Sequence, residues 1–184
     1  MRIVAGVLRG RRLQTPRGMQ IRPTSDRVRE AIFNIIGEAV SGTHVLDLFA
    51  GTGALGLEAL SRGASRVVSV DESLASVELI QANIKVCNVA ELVRVIHASV
   101  NQAIHRLDAE RESFDLIFMD PPYGEGLIQK TLVNLAGVAR PGALVVAEHD
   151  SKDLLPHNLR EWIRTEKRKY GDTAVSFYLR EIAC

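Results

Sequence analysis

The sequence predicts an α/β domain built on a mostly parallel sheet with helices on both faces. Three observations carry that expectation. Short apolar runs alternate with segments of helical spacing from Val45 to Ala147. The apolar runs are nearly unbroken, as in strands buried on both faces. The chain then closes with two extended stretches around Gly171-Asp172, which read as an antiparallel hairpin. A length of 184 residues suits one domain, residues 1–184, with a substantial core.

The elements follow in order. Residues 1–23 scatter Gly6, Gly10, Pro16, Gly18 and Pro23 among short apolar pieces, which suits a small β-hairpin arm and not a helix. Thr24-Ser25-Asp26 offers helix N-cap residues, and Val28, Ile32, Ile35 and Ile36 recur at helical spacing, so a helix is expected from about Asp26 to Ile36. Val45 to Phe49 reads as the first buried strand and Ala54 to Leu60 as the helix after it. Strands are expected at Val67–Val70, Val93–Ile96, Phe114–Met119 and Ala143–Ala147, the last opened by Pro141-Gly142. Helices are expected between them at Leu74–Val86, Val100–Leu107 and Leu127–Ala139. The tail reads as strands Glu161–Tyr170 and Thr173–Arg180. No repeat, low-complexity tract or long linker interrupts this order.

Composition narrows the function classes. Hydrophobic residues make up 46% and charged residues 24%, ordinary values for a soluble globular chain. No apolar run approaches the ~20 residues of a membrane span, and no signal-peptide core is evident. Cys87 and Cys184 lack CxxC spacing, which argues against a zinc site or a disulfide framework and for a reducing cytoplasm. No metal is expected. The net charge of +1 conceals an asymmetry: residues 1–29 hold eight arginines and one acid, which leaves the remainder acidic. Every cation of this arm is arginine, whose fork grips phosphate in bidentate fashion, so a nucleic-acid partner is favoured over a merely solvated segment.

The sharpest chemical signal is Asp120-Pro121-Pro122-Tyr123, directly after the strand Phe114–Met119. Two consecutive prolines cannot continue a ladder and stiffen the backbone just past it. A carboxylate, outward carbonyls and an aromatic ring then share one rigid corner. Such a corner suits a planar molecule bearing an amino group. The second signal is the run His44 to Gly56, read as strand, glycine turn and helix start. Gly51, Gly53 and Gly56 satisfy GxGxxG, a weak pattern by itself and compatible with a nicotinamide dehydrogenase. Asp47 inside the strand end suits a cationic amino acid better than a pyrophosphate. Asp71, just after the second strand, can hold ribose hydroxyls, although a helix-capping role is the plain alternative. Together these residues fit S-adenosylmethionine, a cationic amino-acid end joined to a ribose.

With Val-Leu-Asp47-Leu-Phe-Ala-Gly51-Thr-Gly53, Asp71 and Asp120-Pro-Pro-Tyr123 on successive strand ends, the chain resembles a class I S-adenosylmethionine-dependent methyltransferase. Arg22-Pro-Thr-Ser-Asp26-Arg27-Val-Arg29-Glu30-Ala-Ile-Phe33-Asn34, preceded by Arg9-Gly-Arg-Arg12 and followed by Gly53 to Gly63, is similar to the RsmD family of bacterial 16S rRNA guanine-N2 methyltransferases. The likeness runs through essentially the whole chain. It implies a Rossmann-like, seven-stranded sheet with an antiparallel C-terminal hairpin and a small N-terminal β-extension. It implies that Asp47, Ala50, Gly51 and Gly53 line the cofactor's methionine side and that Asp71 holds its ribose. Thr24 and Arg27 would cover its carboxylate. Ser99 would occupy the place near the adenine amine where relatives usually carry an Asp. Asp120, Pro121 and Tyr123 would form the catalytic base site, with Arg9, Arg11, Arg12 and Arg22 on RNA. The implied substrate is 16S rRNA at the guanine-966 site, within the small subunit or its assembly intermediate, taken by a cytoplasmic monomer with no membrane partner. The alternatives are an adenine-N6 methyltransferase of DNA or RNA, a protein-glutamine methyltransferase, a dehydrogenase, and a non-catalytic RNA-binding assembly factor.

Overall fold

The computed structural model describes residues 1–16, 26–124 and 126–181. Arg22 and Thr24 therefore lie outside the described residues. Five helices are described: α1 Asp26–Ile36, α2 Ala54–Ser61, α3 Leu74–Cys87, α4 Val100–Ala109 and α5 Leu127–Asn134. The strands are β1 His44–Leu48, β2 Arg66–Asp71, β3 Val93–His97, β4 Phe114–Met119, β5 Ala139–Asp150, β6 Asn158–Leu159, β7 Trp162–Tyr170 and β8 Thr173–Arg180.

One sheet runs in the order β3-β2-β1-β4-β5-β8-β7-β6. The strands β1 to β5 pair in parallel, and β8, β7 and β6 add antiparallel. The sheet departs from the expected seven strands by one. β6 is a two-residue edge strand, too short to show any periodicity in sequence. The order reverses direction between β1 and β4, and at such a switch point the loops at the carboxyl ends diverge and open a crevice.

Two further departures have local causes. α5 stops at Asn134 instead of reaching Ala139, because Leu135–Gly137 tightens into a 3-10 turn. Gly137 packs closely on α4 there: a Cβ would stand 2.6 Å from Asp108 Oδ1, so a larger residue would displace that carboxylate. β5 begins at Ala139, earlier than Pro141-Gly142 suggested, and a register shift against β4 absorbs the irregular start.

The β4 strand shows how the period-two alternation builds two cores. Leu116 and Phe118 face a layer with Ile32, Phe33, Leu57 and Ile80 of α1, α2 and α3. Ile117 and Met119 face Ile104, Leu107 and Leu132 of α4 and α5. Trp162 is fully buried in this second layer and donates to the Leu132 carbonyl at 2.9 Å.

The arm is a minimal hairpin closed by one bridge between Arg2 and Arg12. An isolated hairpin of this size is marginal in water. It is held instead by docking on α2, all eight residues of which are buried. The buried Glu58 carboxylate accepts the backbone N–H of Val4 at 2.8 Å and of Ala5 at 3.0 Å. Arg62 Nε donates to it at 2.8 Å, and the buried Arg29 Nε lies 3.5 Å away. Arg29 Nη2 donates in turn to the Arg2 carbonyl and to Asp26. No helix among the described residues is long and apolar enough to cross a membrane.

Candidate active site

Phe49, at the end of β1, has a φ of 57°, the left-handed region that L side chains seldom adopt. This turns the chain out of the sheet into Ala50-Gly51-Thr52-Gly53. Gly53 has a φ of 74°, and a Cβ there would lie 3.3 Å from Ile80. Gly56 serves a different purpose: its Cβ would meet Val67 at 2.8 Å. The third glycine of the pattern thus lets α2 pack closely on β2.

Asp47 lies beneath this loop, only 2% exposed, and its Oδ2 accepts the Gly56 N–H at 3.1 Å. Burial pushes its carboxyl up to about 7; the Gly56 bond opposes that rise and the charge of Asp71 adds to it. A cation seated on the loop would favour its ionised form. Asp71 accepts the Gly51 N–H at 2.8 Å on Oδ2 and the Ser73 N–H at 2.9 Å on Oδ1. One carboxylate therefore ties the glycine loop to the start of α3. The N-cap itself is Ser73, whose hydroxyl accepts from Ser76.

At the end of β4, Pro121 is buried and Asp120 half-buried, while the Tyr123 ring is 40% exposed. The Tyr123 hydroxyl lies 3.1 Å from Thr173 Oγ1 and 3.4 Å from Glu148 Oε1. Burial, countered by the Thr173 bond and assisted by the charges of Glu148 and Asp120, pushes the phenol up to about 12. The ring is thus a neutral platform pinned at its far end.

A cavity of about 370 Å³ joins the residues after β2 to the corner after β4; of the expected residues, Asp71, Asp120, Pro121 and Tyr123 line it, and Asp47, Ala50, Gly51 and Gly53 do not. Phe49, Asp71 and Ser73 form one end, Val100 a side, and Asp120 to Tyr123 with Glu148 the other end. Its size falls in the range of small-molecule sites. Carboxylate acceptors at one end suit hydroxyls, and the apolar side with Phe49 suits a flat ring.

The structure does not bring all expected residues to this cavity. Ser99 caps α4 in a reciprocal box with Gln102, and Val100 is the neighbour that lines the wall. Arg27 faces the arm, where it lines a separate cavity of about 350 Å³ with Arg2, Arg9, Asp26 and Glu30. Arg9, Arg11 and Arg12 are exposed on the arm, with Arg11 donating to the Val86 carbonyl at 3.0 Å. His97 is bound to the Glu72 carbonyl at 3.0 Å, a structural contact. Sequence reasoning missed Phe49 and Glu148. The signal for Glu148 was Glu148-His149-Asp150, a polar ending on an otherwise apolar strand.

Comparison with known proteins places the chain among close relatives. The family model described as "Conserved hypothetical protein 95" matches residues 1–179. YlbH of Bacillus subtilis (strain 168) is 36% identical over 180 residues, covering 97% of this chain and 98% of its own. Ribosomal RNA small subunit methyltransferase D of Escherichia coli (strain K12) is 33% identical over 183 residues, covering 98% and 90%. Among solved structures, YhhF from Escherichia coli superposes with a TM-score of 0.86 at 32% identity, covering 100% of this chain and 99% of that one.

Proposed function

Since the chain belongs to the conserved hypothetical protein 95 family, that of RsmD, we propose that it methylates small-subunit ribosomal RNA with S-adenosylmethionine, on the exocyclic N2 amine of a guanine. The named site by resemblance is guanine 966 of 16S rRNA. The observation that carries the reading is a single cavity with Asp71 at one end and the Asp120 to Tyr123 corner at the other. The ribosomal RNA methyltransferase of Escherichia coli, alike over nearly its whole length, supports the substrate class.

The residues fit S-adenosylmethionine. Asp71 would take the ribose hydroxyls, the turn at Gly51 and Gly53 the methionine portion, and Phe49 and Val100 the adenine side. The bound cofactor supplies an electrophilic methyl group on a sulfonium. The chain must then prepare the acceptor. A guanine N2 lone pair is delocalised into its ring and attacks poorly. Asp120 and the Pro121 carbonyl accept the two amine hydrogens, draw the nitrogen towards tetrahedral geometry and aim its lone pair. Tyr123 stacks on the base from its pinned position. The amine proton passes to Asp120 or to solvent once the new N–C bond has formed. Positioning supplies most of the rate gain. The base has to be unpaired to reach the corner.

Incubation with labelled S-adenosylmethionine and 16S RNA, 30S subunits or DNA, followed by nucleoside identification, tests this. The expected product is N2-methylguanine in RNA. N6-methyladenine, or no label in RNA, overturns the assignment. Replacing Asp120 with Ala should cost about two to four orders of magnitude in turnover, with cofactor affinity by calorimetry retained.

A further inference from the structure

The apolar run 144–147 of β5 ends abruptly in a carboxylate, Glu148, which is only 6% exposed. Burying such a group is costly, and an apolar side chain would extend the strand at less expense. The β4–β5 ladder pairs Met119 with Ala147. Asp120 and Glu148 are the next residue of each strand. Neighbouring strands lie about 4.8 Å apart, so two carboxyl groups leave the sheet edge side by side. Both line the larger cavity together with Tyr123. The Tyr123 hydroxyl donates to Glu148 Oε1 at 3.4 Å and lies 3.1 Å from Thr173 Oγ1, which holds the glutamate beside the ring. A carboxylate has about four lone-pair sites, so Glu148 can accept from a ligand and from Tyr123 together. No lysine, arginine or histidine is among the described residues that line this cavity. Its side chains at this end call for a ligand rich in donors.

The exocyclic amines of RNA bases differ in what stands next to them on the ring. Adenine N6 and cytosine N4 adjoin a bare ring nitrogen, which is an acceptor. Guanine N2 adjoins N1–H, which is a donor. An acceptor-only group beside Asp120 therefore completes the edge of guanine. Against adenine or cytosine it would face a lone pair and leave two acceptors unpaired.

We propose that Glu148 is a specificity-determining residue, accepting the N1–H of the acceptor guanine while Asp120 takes the N2 amine. The inference rests on the methyltransferase reading. It supplies what the Asp120 corner by itself lacks, a physical reason for guanine over adenine.

The test uses full chains of wild type, Glu148→Gln and Thr173→Val. Their substrate is 16S RNA, free or assembled into 30S subunits, ligated to carry guanine or 2-aminopurine at the position that wild type labels. 2-Aminopurine keeps the amine at C2 but has a bare N1. Wild type should prefer guanine in kcat/KM by about ten- to a hundredfold. Glu148→Gln keeps an oxygen for Tyr123 and offers an amide N–H to the base. It should lower that preference about tenfold, with the affinity for S-adenosylmethionine by calorimetry unchanged. Thr173→Val loosens Tyr123 alone, so it should slow both substrates and leave the preference as in wild type. An unchanged preference in Glu148→Gln, including an equal loss on both bases, reduces Glu148 to a support for Tyr123. That result overturns the inference while the methyltransferase reading stands. Equal use of both bases by wild type, or the same shift of preference in Thr173→Val, also overturns it. If wild type itself puts no label into RNA, the underlying reading fails and the inference with it.

Discussion

At the scale of single residues, Asp47 has the most exacting environment. It is read easily from sequence as a carboxylate at a strand end, and its depth changes what it can do. Its carboxyl stands at about 7 against an ordinary value of 3.8. Below the ordinary value, folded and unfolded chains both hold the proton. Between about 4 and 7 the folded chain keeps a proton that the unfolded chain has lost, so this group's contribution to stability falls as pH rises. Above about 7 the cost is constant. The slope reaches at most about 1.4 kcal/mol per pH unit. Asp47→Asn removes the titration, so its melting temperature relative to wild type should climb from pH 5 to pH 8 without ligand. A difference independent of pH would show that Asp47 is not titrating in that window. The residue scale also explains the glycine pattern. Gly53 answers to backbone conformation and Gly56 to the packing of α2 on β2, so only the first part of the motif speaks about a ligand.

Among elements, the arm is tied to the glycine loop through one buried side chain. Asn83 of α3 donates from Nδ2 to the Thr52 carbonyl at 2.9 Å and to the Gln14 carbonyl at 3.1 Å, and its Oδ1 accepts the Gln14 N–H at 2.7 Å. Asn83→Leu keeps the approximate volume and deletes all three bonds. It should destabilise the chain by roughly 1–3 kcal/mol through the buried Thr52 carbonyl, raise protease susceptibility within residues 1–16, and weaken cofactor binding. Unchanged protease susceptibility would mean that the contacts of Glu58, Ser61 and Arg29 hold the arm without Asn83. Neither Asn83 nor Glu58 looked buried in sequence, because a polar residue on a helix reads as solvated until a distant segment lands on it. Arg29 and Glu58 are 29 residues apart in sequence and 3.5 Å apart in the fold.

For the whole molecule, charge separates from chemistry. The arginines Arg9, Arg11 and Arg12 sit on the arm, and the acidic groups Asp71, Asp120 and Glu148 line the cavity. Arginine to phosphate contacts release counterions, so they govern salt dependence more than base choice. Replacing Arg9 and Arg12 with Ala should reduce the slope of log affinity for 16S RNA against log salt by roughly one to two. An unchanged slope would locate the RNA contact elsewhere. The alternation of strands and helices, the glycine turn, the Asp120 corner and the basic arm were all legible in the sequence, since each is written in neighbouring residues as a period, a turn or a run of charge. Strand order, the two-residue β6, the burial of Asp47, Glu58 and Asn83, and the entry of Phe49 and Glu148 into the site were decided by the tertiary structure. The physical reason is that periodicity says which face of an element must be buried but not what will bury it. Only the packed sheet puts β4 between β1 and β5, and with it the Asp120 corner between the glycine loop after β1 and the turn after β5.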